Sequence, residues 1–114
     1  MKVTRIEEAK PYDAANHNNI VPLRLQGFEV TDSKNFWVGL SHFLPGGGAD
    51  MSGTPLEKVY IVTAGEVTVI TETGEATLKP MDSVYLAGGE KRALANRTNM
   101  PASMLVVMPY PPKK

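Results

Sequence analysis

Few residues in this chain could carry metal-ion chemistry. Histidine occurs twice, at His17 and His42, and cysteine does not occur. Without cysteine there is no disulfide and no thiolate zinc site. The two histidines lie far apart in the sequence, without the close spacing of a ligand pair. His17 falls in the polar stretch ANHNN, where solvent exposure is expected. Any site therefore has to be sought among other side chains, whose placement depends on the fold.

The charge balance excludes several classes of partner. The 114 residues include 12 Lys plus Arg and 12 Asp plus Glu. A neutral chain has no general field for nucleic-acid backbones or anionic membranes, so we expect neither as a partner. The opening MKVTRIEEAKPYD lacks the apolar run of a secretory signal, and no stretch approaches the roughly 18 apolar residues of a membrane span. We expect a soluble cytoplasmic protein.

Short apolar segments separated by turn residues predict an all-β protein. The chain contains 10 Gly and 9 Pro. Between them lie runs rich in β-branched and aromatic residues, which predict strands at 23–30, 36–44, 58–62, 66–71, 83–87 and 103–108. The sequence PGGG at 45–48 predicts a turn that follows the second strand. Pro11 limits any helix within 6–19 to a turn or two. We expect an N-terminal arm at 1–19, one barrel domain at 20–110 and a tail at 111–114.

The glycine spacing after residue 45 resembles that of the cupin superfamily. The first cupin motif reads Gly, five residues, His, one residue, His, three or four residues, Glu, six residues, Gly, and Gly46 and Gly65 stand at its two ends. Gly89 and Asn96 keep the frame of the second motif, although Met81 and Ala87 replace its usual Gly and Pro. The resemblance implies a double-stranded β-helix, or jelly-roll barrel, and a homodimer.

The same resemblance implies a cavity that lacks the usual metal ligands. The four ligand positions of the two motifs hold Ser52, Thr54, Lys58 and Arg92. Hydroxyl groups and cations are poor ligands for a divalent metal, so we expect no metal and no other cofactor. Strand alternation then predicts a mostly apolar wall around the two cations. Its inward-facing members are Ser41, Tyr60, Val62, Leu94, Met104, Val106 and Met108.

Two cations beside apolar walls suit a small organic anion. Arg92 would hold a carboxylate, and Lys58, desolvated beside a second positive charge, would be partly neutral and able to act as a base or nucleophile. Tyr60 or Thr54 would hydrogen-bond a developing oxyanion. This predicts a metal-independent lyase or isomerase acting on a carbonyl carboxylate. By alternation Glu57 should face away from the cavity, and only a bulge would bring it in to pair with Lys58.

Three alternatives remain open from the sequence. The cavity could bind an anionic metabolite as a regulatory module without turning it over. The chain could be a metal-dependent cupin that uses His17, His42 and Glu57 as unusual ligands. Finally, Lys58 and Arg92 could be surface cations at the barrel rim with no catalytic role. In the second strand, alternation places Gly39, Ser41 and Phe43 on one face and Leu40, His42 and Leu44 on the other, so His42 is expected to lie outside the cavity.

Overall fold

The computed structural model describes residues 1–112 and shows an all-β fold. Within that range the helical structure is a single 3₁₀ turn, Ile6–Glu8. Eight strands follow in chain order: β1 His17–Gln26, β2 Trp37–Ser52, β3 Lys58–Ala64, β4 Val67–Thr71, β5 Gly74–Leu78, β6 Ser83–Leu86, β7 Arg92–Ala95 and β8 Ala102–Met108. All strand pairs are antiparallel, and the sheet, ordered β5-β4-β7-β2-β8-β3-β6 with β1 against β2, curls into a nearly closed barrel. The predicted fold class is confirmed.

Strand β2 is the longest strand and forms a corner of the barrel. Its first half pairs with β8 up to Phe43, and its second half, from Gly48 to Ser52, pairs with β7. The PGGG sequence lies at this change of partner, where Gly46 has φ +79. The prediction that the second strand ends in a turn at 45–48 is therefore wrong. The glycines bend one continuous strand and do not terminate it. A Cβ at Gly48 would collide with the carbonyl oxygen of Leu94 on β7, so this close approach requires glycine.

Two short strands were missed by the sequence pattern. Strand β5 is exposed along most of its length and therefore lacks the apolar alternation of a half-buried strand. Strand β7 has only four residues, and it begins at Arg92, a residue type not typical of strands. Strands β5 and β7 both pair with β4, and β7 also pairs with β2. Tertiary pairing, and not local propensity, therefore defines β5 and β7.

Alternation along the strands defines the interior. On β2 the residues Gly39, Ser41 and Phe43 are buried, whereas His42 and Leu44 are exposed, which confirms the predicted faces. The imidazole Nδ1 of His42 lies 2.8 Å from Ser103 Oγ on the outer surface. Inward-facing side chains of several strands make one core, whose large fully buried members include Phe43, Val62, Val67, Leu86 and Met104.

No helix within residues 1–112 is long and apolar enough to cross a membrane.

Candidate functional site

A cavity of about 180 Å³ lies inside the barrel. Strands β2, β3, β7 and β8 supply most of its wall, and the chain before and at the start of β1 and Thr54 of the β2–β3 loop supply the rest. Most of the wall is apolar, with a few polar groups. Its lining side chains are Tyr12, Ala14, His17, Trp37, Ser41, Phe43, Thr54, Lys58, Tyr60, Arg92, Leu94, Met104, Val106 and Met108. None of these is acidic, so the formal charge of the cavity is positive.

Arg92 is held across the interior by three hydrogen bonds. Its Nε donates to Tyr60 Oη at 2.8 Å, and its Nη1 donates to Ser52 Oγ at 3.1 Å and to the carbonyl oxygen of Asp50 at 3.4 Å. Tyr60 lies on β3 and Arg92 on β7, strands separated in the sheet by β2 and β8, so the first bond crosses the barrel. The side chain is only 8% exposed and forms no ion pair with the residues that the structure describes. Its Nη2 makes no hydrogen bond within residues 1–112 and remains available to a ligand.

Lys58 is a buried lysine that forms no ion pair within residues 1–112. It opens β3, faces inward beside Tyr60 and is 4% exposed. Burial lowers the pKa of the Lys58 amine from its ordinary 10.5, and the positive charge of Arg92 lowers it further. A lysine in this position is more easily deprotonated than one in water.

Tyr60 presents a hydroxyl proton to the cavity. Burial raises the pKa of its phenol, an effect that the charge and hydrogen bond of Arg92 only partly offset. The phenol therefore stays protonated at neutral pH. Because Tyr60 Oη accepts a hydrogen bond from Arg92, its own O–H can be donated to a ligand oxygen.

The other predicted site residues divide into three groups. Ser41, Leu94, Met104, Val106 and Met108 line the cavity as expected. Ser52 and Val62 are not part of its wall: Ser52 supports Arg92, and Val62 is fully buried in the core, where it pairs with Met104. Thr54 lines the cavity, but its hydroxyl accepts from the backbone N–H of Leu56 at 3.1 Å and donates to the carbonyl of the same residue at 3.3 Å. This local turn leaves Tyr60 as the better oxyanion donor.

The N-terminal segment contributes three lining residues that the sequence pattern missed. Tyr12, Ala14 and His17 close one side of the cavity, and Trp37 also lines it. The backbone N–H of Tyr12 donates to the carbonyl of Pro22 at 3.0 Å. The guanidinium carbon of Arg24 lies 4.3 Å from the centre of the Tyr12 ring. These contacts hold the segment against the barrel.

An irregularity in β1 explains why His17 faces inward. Asn18 pairs with Gly48 and Ile20 with Phe43, so the register shifts at the corner of β2, and Asn19 has φ +52. In a regular strand Asn18 and Ile20 would share the inner face, but the left-handed backbone at Asn19 breaks the alternation, and the inward position moves to His17. Asparagine tolerates a left-handed backbone, so the run of asparagines around His17 was the available indication of this irregularity.

A family model of the cupin domain matches residues 39–108. The chain belongs to this cupin domain family. This cupin is 43% identical over 111 residues to a protein of Mycobacterium tuberculosis (strain ATCC 25618 / H37Rv) named beta-D-galactosidase Rv1717, and the match covers 97% of this chain and 96% of that protein.

Solved cupin structures share the fold. A sugar phosphate isomerase from a cupin superfamily of Silicibacter pomeroyi is 25% identical, with a TM-score of 0.73 over 91% of this cupin and 69% of that chain. The polyketide cyclase RemF from Streptomyces resistomycificus superimposes with a TM-score of 0.86 over 96% of this cupin and 79% of that chain, at 16% identity. The same barrel therefore occurs in proteins that are named for different activities.

The donor set of this cupin does not fit the metal that the family motif implies. Of the side chains at the four ligand positions, Arg92 and Lys58 carry positive charge, and the hydroxyls of Ser52 and Thr54 are engaged with protein partners. His42 and Glu57 do not join His17, because His42 lies on the outer face and Glu57 accepts a hydrogen bond from Tyr85 Oη at 3.0 Å. In the described part of the chain, no group of three or more His, Cys, Asp or Glu residues could hold a metal ion.

Proposed function

We propose that the cavity of this cupin binds a small organic anion and that Lys58 acts on the bound molecule as a base. The observation that carries this proposal is a pair of buried cations, Lys58 and Arg92, facing one cavity with no acidic partner among its lining residues. Burying an uncompensated charge is costly, and an anionic ligand offsets that cost. The apolar side chains of Trp37, Met104 and Val106 would contact the carbon skeleton of the ligand.

The reaction class follows from the positions of three groups. Arg92 Nη2 would hold the carboxylate or phosphate of the ligand, and the neutral amine of Lys58 would take the proton from the carbon next to a carbonyl. The electrons of that C–H bond would form the enolate, whose oxygen would accept the hydrogen bond from Tyr60 Oη. If the proton is returned to a different carbon, the reaction is an isomerisation. If the enolate instead expels a group from the neighbouring carbon, and that group leaves with the electrons of its bond, the reaction is that of a lyase. The relationship to a sugar phosphate isomerase supports this class.

Thermal-shift measurements with a panel of small carboxylates and sugar phosphates test the binding step. A ligand at a hundred times its Kd stabilises the folded state by about 2.7 kcal/mol, which is easily measured. Arg92→Gln should abolish the shift, Lys58→Met should retain at least part of it, and Lys91→Met, which alters an exposed lysine, should retain it in full. If no anion stabilises the wild-type protein, the proposal is wrong.

The same hits test the chemical step. Incubation in deuterated water should introduce deuterium next to the carbonyl, and Lys58→Met should prevent the exchange. Borohydride treatment with a keto acid distinguishes base from nucleophile, because only an imine at Lys58 is reduced to a stable adduct. Binding without exchange or product would assign the protein to the regulatory class instead.

Hydrolysis of β-galactosides is a second candidate function. It is favoured by the relative that is 43% identical over nearly the whole chain and is named a beta-D-galactosidase. Most glycoside hydrolases use two carboxylic acids at the bond they cleave, and no acidic residue lines this cavity in the described chain. Release of nitrophenol from 4-nitrophenyl β-D-galactoside by the wild-type protein, with loss of this activity in Lys58→Met and Arg92→Gln, would establish the second function in this cavity.

We also propose that the protein is a homodimer, as the family resemblance implies, and that it is located in the cytoplasm. Sedimentation equilibrium of the purified chain should give twice the monomer mass of 12.4 kDa. A monomer at all concentrations would contradict this.

A further inference from the structure

The imidazole of His17 is oriented by the backbone before it. Its Nδ1 lies 2.7 Å from the carbonyl oxygen of Ala15, and a carbonyl can only accept a hydrogen bond. Nδ1 must therefore carry the hydrogen. In the neutral ring this leaves Nε2 with an unshared electron pair and no hydrogen, so Nε2 is an acceptor. The ring itself is half-buried and lines the cavity.

The local backbone is built to hold this orientation. Asn16 and Asn19, on either side of His17, both have left-handed backbone angles, with φ of +61 and +52. The carbonyl of Asn16 also accepts a hydrogen bond of 2.9 Å from the backbone N–H of Asp50 on β2. Uncommon backbone angles cost energy and persist where the surrounding structure demands them. Here they turn His17, rather than Asn18, into the cavity.

His17 differs in kind from the other polar groups of the cavity. Lys58 in its charged form and Arg92 are donors only, and Tyr60 already accepts from Arg92. The hydroxyls of Ser41 and Tyr12 can rotate to donate or accept. In its neutral form, His17 has an acceptor atom, Nε2, that carries no hydrogen and therefore cannot donate. Among the lining groups of the described chain, it is the one whose acceptor is fixed in this way.

The register of the sheet relates His17 to Arg92. His17 on β1 and Leu94 on β7 both pair with Ala49 of β2, and Arg92 is the next inward-facing residue of β7. Adjacent strands are about 4.8 Å apart and successive inward positions on a strand about 7 Å apart, so the backbones of His17 and Arg92 are about 12 Å apart, and both side chains extend into the cavity between them. A ligand whose anionic group meets Arg92 would thus present other groups of its carbon chain toward His17.

We infer that His17 is a specificity-determining residue that selects a hydroxylated anion, such as a hydroxy acid or a sugar acid, over the corresponding unsubstituted acid. This inference rests on the proposed anion-binding function and adds the substrate class. A ligand hydroxyl donates to His17 Nε2 while its acidic group binds Arg92. An anion without a hydroxyl leaves the acceptor desolvated and unpaired, which is unfavourable.

Matched acid pairs test the inference by calorimetry: lactate with propionate, 3-hydroxybutyrate with butyrate, and D-galactonate with hexanoate. In the wild-type protein, at least one hydroxylated member should bind about five- to a hundredfold more tightly than its partner, the range expected for pairing a buried polar group. His17→Phe should remove this difference while still binding the unsubstituted acids. His17→Gln, which keeps an acceptor oxygen, should retain part of the preference.

The outcomes separate the inference from the proposed function. If no acid of either kind binds the wild-type protein, anion binding itself fails. If both members of every pair bind equally well, anion binding stands and the role of His17 is wrong. A preference that persists unchanged in a folded His17→Phe also overturns it. Should His17→Phe not fold, His17→Gln decides: a preference similar to or weaker than that of the wild type supports the inference, and complete loss with intact binding of the unsubstituted acids contradicts it.

Discussion

Replacing Lys58 by methionine should make the protein more stable. Methionine keeps a straight side chain of similar length and removes only the charged end. Lys58 is 4% exposed and makes no ion pair within residues 1–112, and both burial and Arg92 lower its pKa from 10.5. The charged amine of Lys58 is therefore less favourable in the folded state than in the unfolded state. Natural proteins retain such costs at functional sites.

The expected gain is modest and measurable. Relief of a strained functional position typically contributes about 0.5–2 kcal/mol to the free energy of unfolding. A domain of this length changes its Tm by about 4 °C for each kcal/mol, so Lys58→Met should raise Tm by about 2–8 °C at neutral pH. Differential scanning calorimetry measures this directly. Lys91→Met, at an exposed lysine, should change the free energy by less than about 0.5 kcal/mol.

The gain should also depend on pH with a definite sign. Between the lowered pKa of folded Lys58 and the ordinary value of 10.5, the unfolded chain binds more protons at this group than the folded chain. The stability of the wild-type protein therefore rises with pH across that window. Methionine does not titrate, so the advantage of Lys58→Met is largest below the window and shrinks as the pH approaches 10.5. A variant that is less stable than the wild type at neutral pH, or whose advantage is the same at all pH values, would refute the reasoning.

Three further predictions concern the framework of the site. Tyr60→Phe leaves the buried Arg92 Nε without its 2.8 Å partner and should lower the free energy of unfolding in urea by about 1.5–3 kcal/mol; a loss below about 0.5 kcal/mol would contradict a structural role for that bond. Arg24→Gln removes a guanidinium that lies 3.8 Å from the centre of the Phe28 ring and should cost about 1 kcal/mol in the same assay. Its control is Arg97→Gln, which breaks an exposed ion pair with Glu75 and should cost less than about 0.5 kcal/mol; equal losses would show that the ring contacts contribute nothing. Gly48→Ala forces a Cβ onto the carbonyl of Leu94 and should cost about 3 kcal/mol, and a neutral effect by urea unfolding would show that β2 and β7 can separate there.

The strand pattern was predictable where one face of the strand is buried. Strands β2, β3, β4, β6 and β8 carry β-branched or aromatic residues in alternation, and their inward faces follow from period two. Strands β5 and β7 were not predictable, because exposed or very short strands lack that pattern. The glycines around Gly46 could be recognised from the sequence as residues that interrupt a strand. Whether they end β2 or bend it depends on its two partner strands, β8 before the bend and β7 after it.

The sequence by itself determined the fold family, through its glycine frame. The family resemblance implied that Lys58 and Arg92 face inward, and alternation along β3 then placed Tyr60 beside Lys58. Only the tertiary structure decided what surrounds these groups. The hydrogen bond between Arg92 and Tyr60 joins strands that do not pair, and His17 enters the cavity because the left-handed backbone of Asn19 breaks the alternation of β1 where the register with β2 shifts. Alternation is a local property and extends only as far as the register is regular. Contacts across a barrel, and the burial that shifts a pKa, depend on all strands at once.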